Sequence, residues 1–357
     1  MKDMTIRKSN IELLRILCMF FVVLQHFNMR GVNADLVACV GDLNLQNAIG
    51  HLIQSFAIVA VNCYVLISGY FGLSFKTKSL LRLYLQCFFI GLVGYLLYVY
   101  FTPNHFEPLK LLARIFAFSR NRYWFLYTYL FLYFSAPLLN YAISKMTRKD
   151  YMKVLGLMSV FLFYFSYIRE VGDNTIGMSY VQFIYLYLIG RFIKLHMAFD
   201  TIIKCRYKWL LGYLIATACI FCVALLRQKY HLYYPFLRPY TYNSPFIVVG
   251  ACCLLLFILT IKINSRAINW IASSVFAVYL LQDNPYFGFQ FLYSKVEMIF
   301  QQIDNIGMKY LVLFAGSGIF LVATVIIDKI FVFVAKPIIL LYEKYLEDKV
   351  DSIIKIS

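Results

Sequence analysis

The stretch Glu12-Leu-Leu-Arg15-Ile-Leu-Cys-Met-Phe-Phe-Val-Val-Leu-Gln25-His26 decides the fold. Within a run over 11–30 long enough to cross a bilayer, it predicts a first transmembrane helix that carries an arginine and a histidine. At about 100° per residue, the steps from Arg15 to His26 end roughly 20° past three full turns. The two side chains then share one face, about 16 Å apart along the axis. Ionisable groups at membrane depth are costly and mark a substrate path or a site. A plainer reading stays open beside this one, in which Arg15 pairs with Glu12 near the interface and His26 bonds a neighbouring helix.

Composition extends this reading to the whole chain. The 357 residues are 62% hydrophobic and 14% charged, and the mean hydropathy is +0.72. No soluble core hides that much apolar surface, so the chain reads as all-α and polytopic in a membrane. The basic start resembles a signal peptide, but no small-residue cleavage site follows Phe27, and none is expected to be used. The net charge of +17 does not call for nucleic acid, because the basic residues gather in short loops that set topology and face anionic lipid. Among nine cysteines, Cys219-x-x-Cys222 and Cys252-Cys253 lack a second pair at ligand spacing, so neither zinc nor a disulfide framework is expected.

Working outward, about ten spans are expected: 11–30, 49–73, 83–102, 123–144, 153–169, 179–197, 209–226, 244–263, 267–283 and 310–334. Basic residues then fall roughly two to one on the side of the N-terminus, which places both termini in the cytoplasm under the positive-inside rule. The stretch Lys110–Arg122 runs against that bias and reads as an amphipathic helix on the outer surface. A single transmembrane domain over 1–340 and a short charged tail over 341–357 are expected, with no soluble domain appended.

Several segments, in order, carry a likeness. Arg15-x10-His26 opens the chain, and the second span closes Val61-Asn62-Cys-Tyr64-Val-Leu-Ile67-Ser68-Gly69-Tyr70-Phe71. Lys78-Ser-Leu-Leu-Arg82-Leu-Tyr84 follows, then Tyr123-Trp124-Phe125-Leu126-Tyr127 with Pro137-Leu138-Leu139. Near the end stands Val278-Tyr279-Leu-Leu-Gln282-Asp283-Asn284-Pro285. The set resembles the membrane-bound acyltransferase 3 family over nearly the whole chain. One departure is Gln282, where many relatives have histidine, so a proton-transfer role is not carried to that position.

The resemblance implies transfer of an acyl group, usually acetyl, from cytoplasmic acyl-CoA to a hydroxyl of a cell-surface or capsular polysaccharide or its lipid-linked precursor. It also implies a multi-pass protein of the bacterial plasma membrane. On this reading His26 is general base, since imidazole titrates near working pH, with an acyl-histidine intermediate as a variant. Arg15 holds donor phosphate or orients the thioester, and Lys78 and Arg82 supply further cations for the donor. Ser68 and Gly69 either let helix backbones come close or let the donor arm approach. Lys78 and Arg82 also read as ordinary positive-inside charges. Asn62 bonds across helices or lines a channel, while Trp124 belongs to an interfacial belt or, with Tyr70, to the acceptor site. Glu170, Asp173, Asp283 and Asp304 are outer acids that suit acceptor hydroxyls, and nothing in the sequence selects among them. No metal site is expected. The rival functions are a glycan transporter, which more often shows inverted repeats, and a glycan polymerase, for which the outer loop around Arg227–Asn243 is modest.

Overall fold

A computed structural model describes residues 8–33, 36–103, 106–109, 123–172, 176–347 and 349–350. Among these residues the chain is helical and holds no strand. In a bilayer that outcome is forced, because an α-helix satisfies its own backbone polar groups where no water can. The helices are α1 (Ser9–Phe27), α2 (Leu45–Ala57), α3 (Ala60–Phe71), α4 (Thr77–Phe101), α5 (Trp124–Lys145), α6 (Arg148–Val160) and α7 (Tyr180–His196). After them come α8 (Phe199–Lys204), α9 (Arg206–Lys229), α10 (Pro245–Leu259), α11 (Arg266–Ala272), α12 (Val275–Gln282), α13 (Tyr293–Gln301) and α14 (Ile306–Tyr345).

Among the described residues, six helical runs are long and apolar enough to cross a membrane: Ser9–Val32, Leu45–Phe71, Thr77–Phe101, Arg148–Ile168, Arg206–Lys229 and Ile306–Tyr345. The other four expected spans are helical too. Tyrosines and Asn140 lower the hydropathy of α5, α7 and α10 are short, and the expected 267–283 span breaks at Ser273–Ser274 between α11 and α12. At 40 residues α14 is about 60 Å long, twice the hydrocarbon thickness, and it continues past the expected domain boundary at 340. The expected amphipathic helix over 110–122, Asp173, and most of the charged tail lie outside the described residues.

Helix α1 sits at the centre and packs on α2, α3, α10, α11, α12 and α14. Its Leu14, Cys18 and Val23 are fully buried. Lipid tails are as apolar as leucine, so close packing rather than water exclusion holds such helices together. The α3–α7 contact illustrates this. Gly69 lies against the Tyr187 carbonyl, and Gly190 lies against the Leu66 carbonyl, so a Cβ at either position would meet backbone. Helix α3 then stops at Gly72, whose φ of +78° suits glycine and whose N–H donates to the Ser68 carbonyl at 3.0 Å.

Candidate active site

Two cavities lie end to end along α1. The first, here the Arg15 chamber, measures about 260 Å³ and is lined by Arg15, Ser68, Arg82, Gln86 and Tyr129, with residues of α12. The second, the His26 chamber, measures about 40 Å³ and is lined by Gln25, His26, Trp124, Tyr242, Tyr279 and Asp283. Tyr64, Phe125 and Phe276 line both. The two candidate residues of α1 therefore open onto adjoining spaces with common walls.

In the Arg15 chamber, the guanidinium of Arg15 stands 3.5 Å from the Glu12 carboxylate, and its side chain remains 40% exposed. That is a loose pair, which leaves donor hydrogens for a ligand. Tyr64 donates to the Arg15 carbonyl at 2.5 Å, fixing the helix backbone behind the guanidinium. Ser68 donates to the Tyr64 carbonyl at 3.0 Å and meets the Tyr129 hydroxyl at 3.1 Å. Arg82 lines this chamber and also a groove between α4 and α14, which it shares with Lys78, Lys336 and Glu343. Lys78 is paired with Glu343 in that groove and does not line the chamber. Gly69 does not line it either, because its open side is filled by α7.

At the other end, the hydroxyl of Tyr293 lies 3.4 Å from His26 Nδ1, and the rings meet edge to face. Gln282, fully buried, stands against both His26 and Tyr293. Asp283 is 5% exposed and lines the chamber beside His26. The guanidinium of Arg30 lies over the Tyr293 and Phe289 rings, 4.9 and 5.1 Å from their centroids. Trp124 is stacked on Tyr242 with ring centroids 5.6 Å apart.

Asn62 does not line the chamber: its Nδ2 donates to the Tyr242 carbonyl at 2.9 Å, as does Gln182 Nε2 at 3.1 Å. It ties α3 to the loop that carries Tyr242. Tyr70 is placed elsewhere. It is buried near the end of α3, with Lys8 and Lys194 over its ring at 6.0 and 5.4 Å, and it lines neither chamber. Of Asn62, Tyr70 and Trp124, only Trp124 lines the His26 chamber, and of the four outer acids Asp283 does. Sequence reasoning missed Tyr64, Tyr129, Gln86 and Tyr293. It named Asp283 among four acids but held no signal to choose it, since its neighbours come from α1 and the Tyr242 loop.

Chemically, the arrangement offers guanidiniums beside a roomy space and an imidazole with a carboxyl group in a narrow one. Among the described residues, no three His, Cys, Asp or Glu side chains come together as a metal set. The described cysteines are all free.

Comparison with known proteins gives one family. The sequence model of an acyltransferase domain, that of the acyltransferase 3 family, matches residues 8–328. The chain belongs to that family, and it is a multi-pass membrane acyltransferase. No curated protein and no solved structure matches it.

Proposed function

We propose, from that membership, that the enzyme moves an acyl group, in the simplest case acetyl, from cytoplasmic acyl-CoA to a hydroxyl of a cell-surface or capsular polysaccharide or its lipid-linked precursor. The observation that carries the proposal is the shared wall of Tyr64, Phe125 and Phe276 between the Arg15 and His26 chambers. It gives a donor bound among cations a short path to an imidazole.

On this reading the chain crosses a bacterial plasma membrane ten times with both termini inside, and the Arg15 chamber faces the cytoplasm. Arg15 and Arg82 take donor phosphates, since guanidinium forks match phosphate oxygens in pairs. Lys78 adds charge at the mouth once phosphate competes for it against Glu343. Ser68 and Tyr129 supply hydroxyls along the way, and Gly69 keeps α3 close to α7. The thioester end of the arm reaches the His26 chamber, where Trp124 and Asp283 meet the acceptor and Asn62 keeps Tyr242 in place. Tyr70 has no part in it.

The chemistry follows from those places. His26 takes the acceptor hydroxyl's proton as its oxygen attacks the thioester carbonyl carbon. The tetrahedral adduct collapses with cleavage of the carbon–sulfur bond. The imidazolium returns the proton to the leaving thiolate, so the products are the ester and free CoA. A buried carboxyl at Asp283 accepts a hydrogen bond from a second acceptor hydroxyl and so orients the first. A chamber of about 40 Å³ admits an acetyl carbonyl and a hydroxyl with little water, which disfavours hydrolysis.

The test is NMR of the surface polysaccharide from wild type, a deletion strain and a strain carrying only His26→Ala. Loss of acyl signals in both mutants, with polysaccharide amount and chain length preserved, is the expected result. Loss of the polysaccharide itself, or unchanged acyl signals, refutes the assignment.

A further inference from the structure

Asp328 is a carboxyl group within the largely apolar α14, next to Lys329, and it is fully buried. Such a group is costly in a membrane and persists where it serves the protein. Its Oδ1 accepts a hydrogen bond from Gln86 Nε2 at 2.6 Å, and Ser274, Lys329 and Arg82 are its other polar neighbours. Lys329, the next residue, ties α14 to the α11–α12 break by donating to the Trp270 carbonyl at 2.6 Å and the Ser273 hydroxyl at 2.8 Å. The carboxyl is thus fixed from one side and fixes Gln86 on the other.

Gln86 stands four residues after Arg82, on the same face of α4, and both line the Arg15 chamber. Because Nε2 is committed to Asp328, the orientation of the amide is set. Its Oε1 is left for the chamber, and that atom can only accept a hydrogen bond. The wall around it is largely apolar, with Leu83, Phe125, Val275 and Phe276. A ligand lying there meets an oriented acceptor where an unpaired N–H would otherwise be stranded.

We propose that Gln86, oriented by the buried carboxyl of Asp328, accepts a hydrogen bond from an amide N–H of the donor's arm in the Arg15 chamber. The inference rests on the acyl-CoA reading. An acyl-CoA carries two secondary amides between its phosphates and its thioester. With the phosphates at Arg15 and Arg82 and the thioester toward His26, those amides pass Gln86. Gln86 is then a binding residue that favours amide-bearing thioesters, and Asp328 is the positioning residue behind it.

The experiment compares steady-state transfer by the purified full-length protein from three donors: acetyl-CoA, S-acetylpantetheine and S-acetylmercaptoethanol, the last having no amide. Gln86→Met is expected to raise the KM for the two amide-bearing donors about tenfold, the size of one lost hydrogen bond, with kcat and acceptor KM unchanged. The KM for S-acetylmercaptoethanol is expected not to move. Asp328→Asn still accepts from Gln86 Nε2, so it keeps the wild-type preference, whereas Asp328→Leu frees the amide and reproduces Gln86→Met. Equal changes for all three donors, or none, in Gln86→Met overturn the inference in favour of a helix-fastening role. Should Gln86→Met not accumulate, the Asn and Leu variants at Asp328 decide, and the same donor preference in both overturns it. Wild-type protein that transfers from no thioester contradicts the acyl-CoA reading itself, a different result from any of these.

Discussion

The Arg15 and His26 chambers share three wall residues and one helix, yet they are built in opposite ways. The Arg15 chamber is wide, about 260 Å³, and its polar groups sit on α1, α3, α4 and α5 and at the α11–α12 break. Of its two guanidiniums, Arg15 is 40% exposed and only loosely paired with Glu12. The His26 chamber is about 40 Å³ and is closed by groups from distant parts of the chain: Trp124, Tyr242 and Asp283. A large anionic ligand that must come and go needs accessible, hydrated cations. A group that moves a proton needs neighbours held in place and little water. On the proposed reading, holding falls to the Arg15 chamber and reaction to the His26 chamber.

The largest expected effect breaks the reacting chamber alone. His26→Ala should lower turnover by about 10²–10⁴-fold, the usual worth of a general base, and leave protein level unchanged. Turnover and level are read by acyl transfer and by size-exclusion chromatography of the solubilised protein. Next comes a change that removes both chambers together. Gly190→Val places side-chain atoms against the Leu66 carbonyl and the Tyr70 N–H, and a cost above about 3 kcal/mol is expected for such overpacking. The checking measurement is the fraction of monodisperse protein surviving a heating series, which should collapse well below wild type.

Arg15→Lys sharpens the contrast from the other side. It keeps the charge and loses the fork, so the donor KM should rise about tenfold with kcat nearly unchanged. The smallest effect is expected for Asn62→Leu. It removes one of two donors to the Tyr242 carbonyl and leaves Gln182 in place, so the acceptor KM should rise about two- to fivefold without change in donor KM. Kinetics with each substrate varied in turn check both.

How much of this the sequence carried depends on whether the partners were local. Arg15 and His26 lie on one helix, so a period of 3.6 is enough to put them on one face. The aromatic and Ser-Gly run of α3 and the cations of α4 are likewise local, and Ser68 and Arg82 do line the chamber with Arg15. Asp283 and Tyr293 reach His26 from more than 250 residues away, and no periodicity encodes that meeting. Gly69 and Tyr70 stand beside Ser68 in sequence, but one faces Tyr187 of α7 and the other lies between Lys8 and Lys194. Residues adjacent in a helix point about 100° apart, so a short motif cannot share one destination. The six apolar runs followed from composition. The tyrosine-rich α5 places Trp124, Phe125 and Tyr129 on the chambers and leaves Tyr127 and Tyr141 exposed, and the α11–α12 segment breaks at Ser273–Ser274.

The division of labour between the chambers is tested most directly by measuring donor binding and transfer separately on the purified protein. Labelled acetyl-CoA is titrated against wild type, His26→Ala and Arg15→Lys, and each is then mixed with acceptor polysaccharide. Wild-type donor affinity with no transfer in His26→Ala, together with weakened affinity and normal saturated transfer in Arg15→Lys, is the predicted result. Transfer retained by His26→Ala, or loss of affinity and rate in the same proportion in both variants, would contradict it.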